Sequence, residues 1–145
     1  MTDLNLKEFL PYQLAVLSAK ISQEFSEIYQ DRFGITIPEW RILAHLSQQS
    51  EPLSVREIHK MVHMDKSKIS RAAARLEKRG LINKLVSETD RRLVELSLTP
   101  DGRTMIDEIT PLALEYEEAV LASLGDSPDS FRKAIADLLA ARDAA

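Results

Sequence analysis

Leu10, Leu14, Leu17, Ile21, Phe25 and Ile28 recur at steps of four, three, four, four and three, the spacing of one apolar stripe along a helix. The stripe predicts a long helix over residues 9–33, ended by Gly34. Thr36 and Glu39 stand in capping-box spacing ahead of Trp40, Leu43 and Leu46, so a second helix follows, with Pro38 tolerated in its first turn. Beyond the break at Pro52, Ser54 and Glu57 repeat that spacing, and Ile58, Met61 and Val62 give a short third helix its apolar face. Asp65 caps a fourth helix, which carries Ile69, Ala73 and Leu76 on one side. Gly80 closes it after Lys78 and Arg79, two cations facing the negative end of their own helix.

The period then changes. "LINKLV", the polar loop "SETDRR" and "LVELSL", in which Val94, Leu96 and Leu98 alternate with Glu95 and Ser97, read as two short strands and a charged hairpin tip. Thr99 caps a further long helix with Pro100 at its first position and Ile106, Ile109, Ala113, Tyr116 and Val120 at helical spacing. After "GDSPDS", Phe131, Ile135, Leu138 and Leu139 predict a last amphipathic helix. The expected fold is mainly α with a small β-hairpin, in the order α-α-α-α-β-β-α-α, on a single domain spanning residues 1–145. Residues 36–99 form its central lobe, between terminal helices at 1–33 and 100–145.

Composition narrows what such a chain does. With no cysteine, disulfides, thiolate metal sites and thiol redox switching are all excluded. The longest uncharged run, Phe9 to Ala19, is too short to span a bilayer, and the acidic start does not resemble a secretory signal, so a cytoplasmic protein with no membrane partner is expected. The formal net charge of -4 hides a division: residues 1–53 carry 4 basic and 7 acidic side chains, residues 54–92 carry 11 and 5, and residues 93–145 carry 4 and 11. A basic middle between acidic ends points to a polyanion met by the middle alone.

Six lysines and arginines fall within residues 66–79, on the fourth helix. At about 100° per residue, Ser67, Arg71, Ala74, Arg75 and Lys78 lie opposite Ile69, Ala73 and Leu76. One side docks and the other is presented outward, with Ser67 near the positive helix terminus and Arg71 and Arg75 able to fork onto phosphate oxygens or guanine edges. A short helix, a tight turn, a basic second helix and a hairpin tipped by Arg91 and Arg92 make a winged helix-turn-helix, which places one element in each groove of double-stranded DNA. The amphipathic terminal helices have faces too extensive for a compact core, and a second copy of the chain is their simplest partner.

The segment "DRRLVELSLTPDG" resembles the wing pattern of the MarR family of winged-helix transcriptional regulators, through Asp90, Arg92, Leu98, Thr99 and Gly102. "GITIPEWRILAHL" and "RLEKRGLI" are similar to that family's second helix and to the end of its recognition helix. The resemblance implies a homodimeric DNA-binding regulator, a repressor released by a ligand, on a near-palindromic operator. Residues 65–79 would lie in the major groove with Ser67, Ser70 and Arg71 near bases, and Lys66, Lys68, Arg75 and Lys78 would be further DNA-binding residues. Arg92 would enter the minor groove beside Arg91, oriented by Asp90. It also implies a pocket for a small aromatic or phenolic effector near Tyr12, Trp40 and Arg41, although the better reading of Trp40 is plain core. No cofactor is expected.

Where many relatives have glycine in the turn before the recognition helix, this chain has His63. His59 and His63, four apart, offer the start of a metal site and the alternative of a metal-responsive regulator, though two ligands are not a site. No glycine-rich phosphate loop, nucleophile elbow or spaced acid-base pair suggests an enzyme. A protein-protein adaptor built on the winged helix is the other alternative, because a fold does not dictate its ligand.

Overall fold

Each apolar stripe becomes a helix in the computed structural model, which describes residues 3–143. A 3-10 turn at Leu6–Glu8 precedes α1 (Leu10–Phe33), α2 (Ile37–Ser47), β1 (Leu53–Ser54), α3 (Val55–Val62) and α4 (Lys66–Lys78). The strands β2 (Ile82–Val86) and β3 (Val94–Leu98) follow, then α5 (Pro100–Ala122) and α6 (Pro128–Asp143). The chain forms two compact units divided in sequence between Thr110 and Pro111. That division falls inside α5, at a proline whose missing N–H interrupts the helical ladder.

The core of the first unit is built from α2, α3, α4 and the sheet: Ile42, Leu43, Ile58, Ile69, Leu76 and Leu96 are all fully buried. Ile69 and Leu76 each contribute about 1.5–3 kcal/mol by leaving water, while Ala72 and Ala73 between them allow α4 to approach closely. The sheet is antiparallel in the order β1-β3-β2, with Leu53 opposite Leu96 and Lys84 also opposite Leu96 on the other side. The strand β1 is an addition to the expected hairpin. Two residues are too few to show an alternation, so no period in the sequence betrays it.

Capping follows the expected chemistry with one exception. Ser54 and Glu57 make a complete capping box, and Asp65 accepts from the Ser67 N–H to start α4. Thr36 accepts from the Glu39 N–H, but the Glu39 carboxylate turns away from Thr36 to another helix, so that box is only half formed. At the junction of β3 and α5, the Thr99 hydroxyl donates to the Gly80 carbonyl at 2.6 Å and accepts from the Gly102 N–H at 3.0 Å. The Thr99 N–H donates to the Leu81 carbonyl at 3.1 Å, so a single threonine stitches the end of α4 to the start of α5.

Most of the stripe on α1 does not reach the core, though Ile21 and Phe25 are half-buried. Leu10, Leu14, Leu17 and Ile28 stay 53%, 47%, 43% and 36% exposed, whereas Ser26, Tyr29 and Phe33 are buried. In the second unit α6 has no buried residue, and Ile135, Leu138 and Leu139 are exposed. The same unit carries the surface pairs Arg132 to Glu117 at 2.9 Å and Lys133 to Asp137 at 2.8 Å. Among the described residues no helix is long and apolar enough to cross a membrane.

Gly102 sits directly against the Leu81 carbonyl, and a Cβ there would collide with that backbone oxygen. Neither side of this contact is a flexible side chain. Gly102→Ala is therefore expected to lower stability by about 1–3 kcal/mol, read as a shift of the denaturation midpoint at unchanged slope.

Candidate nucleic-acid interface

The helix α4 divides its circumference as the sequence expects. Ile69, Ala72, Ala73 and Leu76 are buried, while Lys66, Ser67, Lys68, Ser70, Arg71, Ala74 and Lys78 are exposed. Its N-terminus is already engaged, since Ser67 donates both its N–H and its hydroxyl to Asp65, at 3.2 and 3.0 Å. These two bonds, the backbone one foremost, hold the Asp65 carboxyl below the usual aspartate range. The Ser67 hydroxyl thus keeps only its lone pairs for an outside donor.

The turn into α4 is made by His63, which has φ 52° and ψ 43°. A left-handed conformation there explains why glycine would suit the position, and a histidine holds it at a cost of about 1–2 kcal/mol. His59 Nδ1 is buried with no hydrogen-bond partner, and among the described residues no three His, Cys, Asp or Glu side chains come together around one point.

The wing tip is a nested set of hydrogen bonds. Buried Ser87 shares a hydrogen with the Thr89 hydroxyl at 3.1 Å and accepts from the Asp90 N–H at 3.3 Å. The Ser87 N–H donates to the Leu93 carbonyl and the Leu93 N–H to the Asp90 carbonyl, both at 2.9 Å. So fixed, Asp90 accepts from the Arg92 N–H at 3.0 Å and from Nε and Nη2 of the same side chain at 3.1 Å each. The Arg92 side chain is 84% exposed while it makes these bonds, and Arg91 beside it is exposed as well.

Between α3, α4 and the wing lies a cleft of about 250 Å³ lined by Arg56, Lys66, Ser70, Lys84 and Arg92 over a floor that includes Val55 and Ala73. The lining holds four cations, of which Arg92 is already paired with Asp90, and can bind an anion. Arg56 and Lys84 are not among the expected site residues. Their only signal in the sequence is membership of the basic stretch 54–92, because neither lies on the fourth helix or at the hairpin tip.

Arg75 of α4 and Arg79 at its C-terminal cap take other partners. Arg75, expected to fork onto DNA, donates from Nε to Glu39 Oε1 at 3.0 Å; its side chain is half exposed, whereas that of Glu39 is 4% exposed. Arg79, expected to face the end of its own helix, instead donates to the Gly34 and Phe33 carbonyls at the end of α1, both at 3.0 Å. A wheel projection gives the direction of a side chain around its own axis and says nothing of what stands opposite.

The three candidate effector residues are not brought together within the first unit. Trp40 lies in an aromatic cluster, 5.2 Å from Phe25 edge-on and 5.6 Å from Tyr29 in a stack, and Arg41 Nη2 donates to Ser22 Oγ at 3.4 Å. Tyr12 is ten residues up α1 from Ser22, a rise of about 15 Å. Burial pushes the Tyr29 phenol up to about 12, against a smaller opposing effect of Arg41.

Asp90 carries the clearest electrostatic signature of the wing. The side-chain hydrogen bonds from Arg92, then its backbone N–H, hold this carboxyl below the usual aspartate range. A depressed native value means that the carboxylate stabilises the wing above the ordinary range and loses this effect as pH falls through the lowered value. An NMR titration of the Asp90 carboxyl is expected to show that low midpoint, and Arg92→Ala to move it back up.

Comparison with known proteins places this arrangement. Residues 35–94 match the family model described as the MarR family. The HTH-type transcriptional regulator PapX of Escherichia coli is 31% identical over 120 residues, which cover 81% of this chain and 73% of PapX. The organic hydroperoxide resistance transcriptional regulator of Bacillus subtilis strain 168 is 33% identical over 96 residues, covering 64% of this chain and 65% of that protein, just under two thirds of its length. Among solved structures, a MarR/EmrR family transcriptional regulator from Acinetobacter sp. ADP1 superposes with a TM-score of 0.81 at 26% identity, covering 98% of this chain and all of that one. The chain belongs to the MarR family of transcriptional regulators.

Proposed function

We propose that this protein acts in the cytoplasm as a homodimeric repressor that binds a near-palindromic operator in double-stranded DNA. The observation that carries the reading is the convergence of the exposed face of α4 with the four-cation cleft and the arginine-tipped wing on one side of the first unit. In this reading α4 lies in the major groove with Ser70 and Arg71 at base edges, and the wing lays Arg92 into the adjacent minor groove. Lys66, Lys68, Lys78, Arg56 and Lys84 meet phosphates, which fix register without reading sequence. This is a binding function with no chemical step.

The dimer rests on the apolar surface left uncovered on α1 and α6. A second copy covering both is the economical partner, because a two-fold pair sets two recognition helices about 34 Å apart, one turn of DNA. Interfaces of this kind bury more than about 2,000 Å², so the dimer and the fold are expected to be lost together on dilution or denaturation. Sedimentation equilibrium should give twice the chain mass. Leu14→Glu, which places a charge on the uncovered α1 face, should weaken the dimer and lower the thermal midpoint together.

The name of the Bacillus subtilis relative refers to organic hydroperoxides. Without a cysteine, a response of this chain to peroxide through thiol oxidation is excluded.

Selection of bound duplexes from random DNA at two salt concentrations tests the reading as a whole. A two-fold symmetric motif whose affinity falls steeply with salt is expected. Enrichment of no motif, or binding indifferent to salt, would favour a protein-docking role for the winged helix. On the selected operator, Arg71→Ala should weaken binding by about 1–3 kcal/mol at an unchanged thermal midpoint.

A further inference from the structure

The last two turns of α4 are tied to the corner between α1 and α2. Arg75 reaches Glu39 in the first turn of α2, and Arg79 reaches the carbonyls of Phe33 and Gly34 at the end of α1, three hydrogen bonds of 3.0 Å each. The corner itself is anchored, since Phe33 is buried, Ile35 is fully buried and Glu39 is 3% exposed. Among the described residues, the side chains in the first turns of α4 make no such tie, only the local cap from Asp65. One half of the helix is held by neighbouring helices and the other half projects the exposed residues.

From this geometry we propose that Arg75, Arg79 and Glu39 are positioning residues, which set the tilt of α4 and thereby its sequence discrimination, and that neither arginine contacts DNA. The proposal rests on α4 being the recognition helix. A helix of this length is a rod of about 20 Å, so a displacement at the tied end reappears, with comparable size, at the projecting end. Hydrogen bonds to base edges weaken over a few tenths of an ångström and with modest misalignment, whereas a lysine on a phosphate follows a moving target. Loosening the tie therefore damages discrimination more than it damages general affinity for DNA.

The salt dependence of binding separates a positioning arginine from one that touches DNA, because the slope of log K against log salt falls by about one for each phosphate that a variant no longer neutralises. Wild type, Arg71→Gln, Arg75→Gln, Arg79→Gln, Arg79→Lys and Glu39→Gln are titrated against the selected operator and a scrambled duplex between 50 and 200 mM salt, with thermal midpoints recorded. Absence of salt-dependent operator binding by the wild type would sink the recognition-helix reading itself. With that binding in hand, Arg75→Gln and Arg79→Gln are expected to keep the wild-type slope while the ratio of operator to scrambled affinity falls about tenfold. Arg79→Lys keeps the charge but cannot fork onto two carbonyls, and is expected to lose the ratio as the glutamine variant does.

Glu39→Gln removes no cation, so a loss of the ratio there cannot come from an unneutralised phosphate, and the double variant with Arg75→Gln should be no worse than the poorer single one. The proposal is overturned by a slope lower by about one in Arg75→Gln or Arg79→Gln, or by an unchanged ratio in Glu39→Gln. If Arg79→Gln fails to fold, the Glu39 and Arg75 pair still decides between the two outcomes.

Discussion

A helix of thirteen residues has one circumference, and α4 must divide it between docking, display and anchorage. Docking takes Ile69, Ala72, Ala73 and Leu76, all buried. Display takes the exposed lysines, serines and Arg71, and anchorage takes Arg75 and Arg79 at the C-terminal end. The small side chains at 72 and 73 let the helix seat closely, and close seating brings its arginines within reach of α1 and α2. Everything that the protein presents to an outside partner from this helix depends on how that one cylinder is seated.

Much of the architecture was legible because periodic features leave periodic traces. The stripe from Leu10 to Ile28 marked α1 almost to the residue, and Asp65 and Gly80 marked the ends of α4. Gly102, readable at first only as part of a family pattern, acquires a physical reason in the close approach of the Leu81 carbonyl, and Thr99, read as a cap, proves also to stitch onto Gly80. What stayed hidden was non-periodic. The strand β1 is two residues long, and the partners of Arg75 and Arg79 lie 36 to 46 positions away in sequence.

The Glu39 carboxylate shows how a local rule can be correct and still be overruled. Its spacing from Thr36 fits a capping box, and the Thr36 half of that box does form. A nearly buried carboxylate beside a guanidinium has a stronger option than a backbone N–H at a helix start, because both partners are charged. The same logic separates the aromatic residues: Trp40 has Phe25 and Tyr29 around it and belongs to packing, while Tyr12 remains on the uncovered part of α1. Periodicity assigns a residue to a face, and only the fold says what covers that face.

The wing arginine carries a thermodynamic consequence of its own. Immobilising a free arginine removes about 1.5–2 kcal/mol of rotamer entropy. Arg92 loses part of that freedom when the hairpin folds, because Asp90 fixes its guanidinium at two nitrogens even while the side chain stands almost wholly in water. A complex formed by the wing then has less ordering left to do, and a lysine at the same place would bring the same charge with none of the preset direction.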